Sequence, residues 1–157
     1  MRGQSGNWLS YRDEELAVGM IAYCANEKEI SYIMKHPAVS IITDGLLGGK
    51  PHPRVYGTFP RILGRYVRDK GVIPLEEAIR KMTSLPAEKL RLKNKGLIAE
   101  GYDAHVTIFD YNKIDDQATY ENPIQFPLGI KWVLVNGKVV IENGKHIHTR
   151  SGRIVRD

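Results

Sequence analysis

The sequence predicts an α/β segment over residues 1–95, followed by an antiparallel β segment over residues 96–157. In the first part, apolar runs of strand length alternate with stretches of helical periodicity, which is typical of α/β folds. In the second part, two Asn-Gly pairs, Asn136-Gly137 and Asn143-Gly144, follow apolar runs and indicate tight hairpin turns. A change from alternating elements to consecutive strands indicates two structurally distinct parts.

The α/β segment begins with a strand–helix–strand pattern. Residues 18–24 and 39–44 are continuous apolar runs of strand length. Between them, Asn26 and Glu29 have the spacing of a helix capping box, and Pro37 marks the end of that helix. Two apolar strands joined by one helix predict a βαβ unit whose parallel strands are buried on both faces.

Two further helices follow a glycine-rich loop. Pro60 is placed to open the first of them and Gly71 to end it, while Pro74 opens the second. Residues 86–90 then predict a short additional turn. In the β segment we expect a short strand between Gly96 and Gly101 and further strands at 104–110, 131–135 and 139–142, with a long polar loop over 111–129.

Bulk composition limits the class of protein. The 157 residues contain 42% hydrophobic and 26% charged residues, which is typical of a globular domain or a piece of a larger one. We expect neither a signal peptide nor a transmembrane helix, and the single cysteine, Cys24, favours a reducing, cytoplasmic location. The net charge of +5 is scattered without runs of like charge, so we expect a solvated basic surface that binds neither nucleic acid nor membrane.

Asp44 is the first candidate functional residue. It ends the second apolar run and precedes a loop rich in Gly, His and Arg. The carboxyl end of a buried strand is where α/β enzymes place catalytic groups. The alternative is that Asp44-Gly45 simply forms a turn.

Four other positions in the sequence carry candidate binding groups. Arg54 could bind a carboxylate through two parallel hydrogen bonds, or it could be an ordinary surface charge. His52 could support that site as a hydrogen-bond donor or belong to an ordinary loop. His146 and His148 have a spacing that places both rings on one face of a strand, but two histidines without a third ligand are weak evidence for metal.

Five sequence motifs carry a family resemblance. They are Thr-Asp-Gly at 43–45, His-Pro-Arg-Val-Tyr-Gly-Thr-Phe-Pro-Arg at 52–61, Glu-Ala-Ile-Arg-Lys-Met-Thr-Ser-Leu-Pro-Ala at 77–87, Gly-Leu-Ile-Ala-Glu-Gly-Tyr-Asp-Ala at 96–104, and Asn-Gly-Lys-Val-Val at 136–140. Together they resemble the C-terminal third of D-aminoacylases, which are N-acyl-D-amino-acid deacylases of the amidohydrolase superfamily.

The resemblance implies a metal-dependent (β/α)₈ barrel flanked by a small β-sandwich. On this interpretation residues 1–95 contain the last two strands and helices of the barrel, and residues 96–157 contribute antiparallel strands to the sandwich. Asp44 falls on the family's catalytic aspartate and Arg54 on an arginine that holds the substrate carboxylate. The family's zinc ligands come from earlier barrel strands, so the resemblance implies no metal ligand in this chain.

These observations lead to one main functional hypothesis and two alternatives. The main hypothesis is the C-terminal part of a zinc-dependent amidohydrolase that hydrolyses N-acyl-D-amino acids, inactive in isolation because two strands cannot close a barrel. Its partner would be the remaining barrel segment or a second copy of the chain. The alternatives are a non-catalytic remnant that serves as a binding or scaffold module, and a nucleic-acid-binding protein.

Overall fold

The computed structural model describes residues 26–155. The strand predicted at residues 18–24, together with Cys24, lies outside the described residues. The helices are α1 (Glu27–Lys35), α2 (Arg54–Arg61), a π-helix (Ile62–Asp69), α3 (Leu75–Met82) and α4 (Ser84–Lys89). The strands are β1 (Val106–Phe109), β2 (Ile130–Val135), β3 (Lys138–Glu142) and β4 (Lys145–His146). Within residues 26–155, no helix is long and apolar enough to cross a membrane.

Helix α1 begins as the sequence predicts. The Asn26 side chain accepts a hydrogen bond from the Glu29 backbone N–H at 3.0 Å, and the Glu29 carboxylate accepts one from the Asn26 backbone N–H at 3.4 Å. This reciprocal pair is a capping box, so the prediction is confirmed. The helix ends at Lys35, just before His36 and Pro37, and buries Met34.

The structure corrects the strand predicted at residues 39–44. These residues form no strand, because the Ile41 N–H donates to the Lys81 carbonyl at 2.9 Å instead of to a neighbouring strand. Ile41 is buried, whereas the adjacent Ile42 is exposed. A strand exists only when a neighbour completes its hydrogen-bond ladder, and no described residue lies in position to do so.

The start predicted for the second helix is also wrong. Helix α2 begins at Arg54, six residues before Pro60, and Pro60 lies inside it. The helix is started by Pro53, because a proline at a helix N-terminus loses no intrahelical hydrogen bond there. Beyond Arg61 the chain continues directly into the π-helix, whose wide turns end with the Lys70 N–H donating to the Arg65 carbonyl at 3.0 Å.

The hydrophobic core of the helical part lies between α1, the π-helix and α3. It consists of Met34, Ile41, Ile62, Tyr66, Val67, Ile73 and Ala78. Beside it Lys81 is fully buried, and its ammonium donates to the Val39 and His36 carbonyls at 3.0 and 2.5 Å. The core therefore anchors the segment that leads from α1 towards Asp44.

The strands form one antiparallel sheet in the order β1-β2-β3-β4. Asn136 and Gly137, between β2 and β3, both have positive φ, 50° and 74°, as the predicted tight hairpin turn requires. The strand predicted between Gly96 and Gly101 is absent. Gly96 instead has φ +84°, and a Cβ there would lie 2.8 Å from Ser84 Cα, so this segment turns against the start of α4. No residue of the four strands is fully buried.

The loop between β1 and β2 packs against the helices. We call its residues 114–121 the strap. Ile114 and Ala118 in the strap are buried, and the Arg68 guanidinium donates to the Ile114 carbonyl at 2.7 Å. Two glycines allow the close approach, since a Cβ at Gly57 would lie 2.9 Å from Asp116 Oδ2 and one at Gly64 only 2.7 Å from the Ile114 carbonyl oxygen. The strap therefore joins the sheet to the helix that begins at Arg54.

Candidate functional site

Asp44 and Arg54 lie together. Arg54 Nη2 is 3.0 Å from Asp44 Oδ2, and Arg54 Nε donates to the Asp44 backbone carbonyl at 2.9 Å. The Asp44 side chain is 77% exposed and that of Arg54 43% exposed. An ion pair this open to water contributes little to stability, so another carboxylate can replace Asp44 on the guanidinium at low cost.

Local backbone geometry places both groups. Asp44 has φ +45°, a left-handed conformation that short polar side chains tolerate better than most. The Gly45 N–H donates to Thr43 Oγ1 at 3.3 Å, which closes a small turn beneath Asp44. Arg54 is the first residue of α2, so its side chain projects from the start of a helix back towards that turn.

His52 supports the start of α2. Its Nδ1 accepts a hydrogen bond from the Arg54 backbone N–H at 3.0 Å, and its Nε2 lies 3.2 Å from the Tyr120 hydroxyl. Burial lowers the pKa of His52 below its usual value, and the positive charges of Arg54 and Arg61 lower it further, against the opposing effect of Asp44. Both ring nitrogens therefore have partners within the chain.

A cavity of about 280 Å³ separates the start of α2 from the strap. Its wall includes His52, Arg54 and Arg61 on one side and Thr119, Tyr120 and Glu121 on the other. The cavity therefore begins beside the arginine that the family resemblance assigns to carboxylate binding.

Asp116 pairs with Arg61 at the edge of this cavity, a contact that the sequence did not indicate. Its carboxylate accepts a hydrogen bond from Arg61 Nε at 2.5 Å, and its side chain is 13% exposed. Hydrogen bonding to Asp116 raises the pKa of Arg61 further above its ordinary value. Together with Tyr120, Asp116 lies in a polar loop without periodicity, and only its long-range contacts identify it. The residues that they contact, Arg61 and His52, both lie in the motif 52–61, which gave no indication of these partners.

The described residues contain no metal site. Within residues 26–155, no three His, Cys, Asp or Glu side chains are grouped so that they could hold a metal ion. The His146 and His148 rings are edge-to-face with centroids 5.6 Å apart, and His146 Nδ1 accepts a hydrogen bond from the His148 N–H at 3.0 Å. This pair has one nitrogen already engaged and lacks a third ligand.

Comparison with known proteins establishes the family. A family model described as the amidohydrolase family matches residues 30–141. The chain belongs to the amidohydrolase family. Among curated relatives, it is 41% identical to an N-acyl-D-glutamate deacylase and 38% identical to a D-aminoacylase, both of Alcaligenes xylosoxydans xylosoxydans. These matches cover 88% and 87% of this amidohydrolase chain but only 28% of each relative, so the chain spans less than a third of the length of the relatives it matches.

Solved structures agree with the sequence relatives. A crystal structure of D-aminoacylase superposes with a TM-score of 0.78 at 41% identity, covering 82% of this amidohydrolase chain and 27% of that one. The N-acyl-D-glutamate deacylase of Bordetella bronchiseptica, solved with zinc and a phosphonate mimic of the tetrahedral intermediate, superposes with a TM-score of 0.71 at 40% identity. That match covers 73% of this chain and 24% of the other. A D-aminoacylase similar to this chain has a binuclear metal centre.

Proposed function

We propose that this chain supplies the catalytic carboxylate and the carboxylate-binding arginine of a zinc-dependent N-acyl-D-amino-acid deacylase. The observation that carries the proposal is the 3.0 Å contact between Asp44 and Arg54, which brings two residues ten positions apart to one exposed point. The similarity to deacylases of N-acyl-D-glutamate and other N-acyl-D-amino acids supports the substrate class.

Arg54 is suited to hold the α-carboxylate of the substrate. A guanidinium can bind a carboxylate through two parallel hydrogen bonds, and the exposed Asp44 carboxylate now occupies the position that a substrate carboxylate would take. Because Arg54 Nε also donates to the Asp44 backbone carbonyl, the arginine stays in place when the carboxylate partner changes.

Asp44 is suited to transfer a proton. Amide hydrolysis requires a base that accepts a proton from the attacking water and an acid that returns it to the leaving nitrogen. When the substrate carboxylate displaces Asp44 from Arg54, the Asp44 carboxylate becomes free to accept a proton. Ion-pair exchange at Arg54 would thus couple substrate binding to the availability of the base.

The zinc of this proposal does not fit the described residues. Neither a cluster of three ligands nor a completed histidine site is present within residues 26–155. The ion would therefore be held by polypeptide that corresponds to the part of the relatives that this chain does not cover.

An exposed apolar surface favours a polypeptide partner. Ile33, Ile42, Leu46 and Leu47 are 54–83% exposed and lie on α1 and on the segment around Asp44. Ile42, Leu46 and Leu47 lie within three residues of Asp44 along the chain, and exposed apolar side chains of this kind typically mark a contact surface. We infer that the remaining barrel strands cover this surface.

A chimera tests the proposal. This chain would replace the matching part of the Alcaligenes D-aminoacylase, and zinc-supplemented hydrolysis of N-acetyl-D-glutamate and N-acetyl-D-leucine would be measured. We expect hydrolysis of the D but not the L compounds, a loss of roughly 10²-fold or more in Asp44→Asn, and no activity from the 157-residue chain alone. A folded, zinc-loaded chimera without hydrolysis, or one indifferent to Asp44→Asn, would overturn the proposal and leave a non-catalytic module as the better interpretation.

A further inference from the structure

The strap reaches the start of α2 through one histidine ring. The Tyr120 hydroxyl lies 3.2 Å from His52 Nε2, and the two rings meet edge-to-face with centroids 5.1 Å apart. On the other side of the ring, Nδ1 accepts the Arg54 backbone N–H at 3.0 Å. One imidazole therefore bridges residue 120 to residue 54, although 66 positions separate them in the sequence.

The direction of these hydrogen bonds follows from the donor on one side. The Arg54 N–H can only donate, so His52 Nδ1 must carry a lone pair. A neutral imidazole with a lone pair on Nδ1 carries its proton on Nε2, and that proton points to the Tyr120 hydroxyl oxygen, which accepts it. The ring is thereby fixed in orientation from both ends.

Fixing the ring fixes the first turn of α2. The first N–H groups of a helix have no intrahelical acceptor, and His52 Nδ1 supplies one to the Arg54 N–H. The His52 carbonyl also accepts the Val55 N–H at 3.1 Å. The orientation of the Arg54 side chain at the Asp44 carboxylate then depends on the backbone that His52 holds.

We propose that Tyr120 is a positioning residue for Arg54, acting through the His52 ring. This inference rests on the proposed function, because it assigns Arg54 to the substrate carboxylate. It also assigns His52 to supporting the arginine, since both of its ring nitrogens are already engaged. The strap holds the far end of α2 separately, through Asp116 and Arg61.

Water-exchange NMR of the Arg54 backbone amide and Nε–H in the full 157-residue chain tests the positioning. Tyr120→Phe keeps the ring and removes the hydroxyl, and we expect it to speed exchange at Arg54 about fivefold, as expected for the loss of one hydrogen bond. Tyr32→Phe, on the exposed surface of α1, is the matched control and should leave Arg54 exchange unchanged. Unchanged exchange in Tyr120→Phe would overturn the proposal.

Two histidine variants separate a specific link from general loosening. An asparagine side chain can replace Nδ1 as the acceptor for the Arg54 N–H but cannot reach Tyr120. We therefore expect His52→Asn to retain most of the protection at Arg54, His52→Ala to lose it, and Tyr120→Phe to have no further effect in the His52→Asn background. An equal effect of Tyr120→Phe with and without His52 would show that the tyrosine acts by another route and would contradict the inference.

The chimera provides the functional readout. There, Tyr120→Phe should raise KM about fivefold with a smaller change in kcat, because it disturbs substrate binding by Arg54 and leaves Asp44 in place. A folded, zinc-loaded wild-type chimera without hydrolysis would overturn the proposed function. The exchange measurement on the 157-residue chain would still decide whether Tyr120 positions Arg54.

Discussion

Arg54 contacts Asp44 twice, through the carboxylate at 3.0 Å and through the backbone carbonyl at 2.9 Å. The two contacts have different consequences. The carboxylate contact depends on charge and can be exchanged for a ligand, whereas the carbonyl contact keeps the guanidinium in place whichever carboxylate it holds. The pair therefore combines a fixed arginine with a replaceable partner, as the proposed recognition of a substrate carboxylate requires.

The exposure of the Asp44–Arg54 pair predicts that the Asp44 charge can be removed with little loss of stability. We expect Asp44→Asn to change the free energy of unfolding by less than about 0.5 kcal/mol, because the side chain is largely hydrated and the carbonyl contact remains. Asp116→Asn is the comparison, since Asp116 is mostly buried against Arg61, and it should cost about 1.5 kcal/mol. Urea unfolding of both variants measures the difference, and equal costs would contradict this account.

Replacing Arg54 by lysine tests the importance of the planar guanidinium. A lysine keeps the positive charge but cannot donate to the Asp44 carbonyl and bind a carboxylate through two parallel bonds at once. In the chimera we expect Arg54→Lys to raise KM for N-acetyl-D-glutamate about tenfold, with kcat changed less. Arg65→Lys, at an exposed arginine within the π-helix that pairs with Glu27, is the control and should leave KM unchanged. A fall in kcat at constant KM would instead indicate a role for Arg54 in the chemical step.

Gly64 is predicted to be intolerant of a side chain. A Cβ at this position would lie 2.7 Å from the Ile114 carbonyl oxygen, which belongs to the strap backbone and cannot move aside alone. We expect Gly64→Ala to destabilise the chain by about 2 kcal/mol because the strap is forced away from the helix. Gly152→Ala, where a Cβ meets nothing within 4 Å, is the control. A neutral Gly64→Ala in thermal unfolding would show that the strap does not pack as described.

Local sequence signals predicted those features whose causes are local. The capping box of Asn26 and Glu29 and the turn at Asn136-Gly137 depend on hydrogen bonds and φ angles within four residues, and both are confirmed. The strand predicted at residues 39–44 depends on neighbouring strands, so an apolar run alone could not establish it. The start of α2 was mispredicted because Pro53 and Pro60 are both acceptable helix-start signals, and the His52 contact to Arg54 favours the earlier one.

The residues of the candidate site likewise fall into those that sequence motifs identify and those that only the folded structure reveals. Asp44 and Arg54 come from two sequence motifs, 43–45 and 52–61, and their positions in the sequence sufficed to identify them as candidates. Tyr120 and Asp116 come from a polar loop, and their relevance depends on contacts across 68 and 55 residues of sequence. Such contacts produce no periodicity in the loop, so only the folded structure reveals them.

Lys81 is predicted to stabilise the segment that leads from α1 to Asp44. Its ammonium is fully buried and donates to the His36 and Val39 carbonyls, with the Glu77 carboxylate 3.4 Å away. Lys81→Met would leave those carbonyls without a donor, and we expect a loss of about 3 kcal/mol in the free energy of unfolding. Lys28→Met, on the exposed face of α1, is the control. A Lys81→Met variant as stable as wild type would show that water or other donors satisfy the two carbonyls.

Glu77 is predicted to make stability fall in acid. Hydrogen bonds from Arg80 and Lys81 lower the pKa of Glu77 from 4.5 to about 2 in the folded chain. A carboxyl whose pKa is lower in the folded than in the unfolded state binds fewer protons when folded, so its stabilising contribution is complete above about pH 4.5 and declines as the pH falls towards 2. Urea unfolding between pH 6 and pH 2.5 should therefore show a smaller acid-induced decline in Glu77→Gln than in wild type. Glu76→Gln, at the adjacent exposed position, should retain the wild-type decline in stability. If Glu77→Gln loses stability in acid as wild type does, the acid sensitivity must come from other carboxylates.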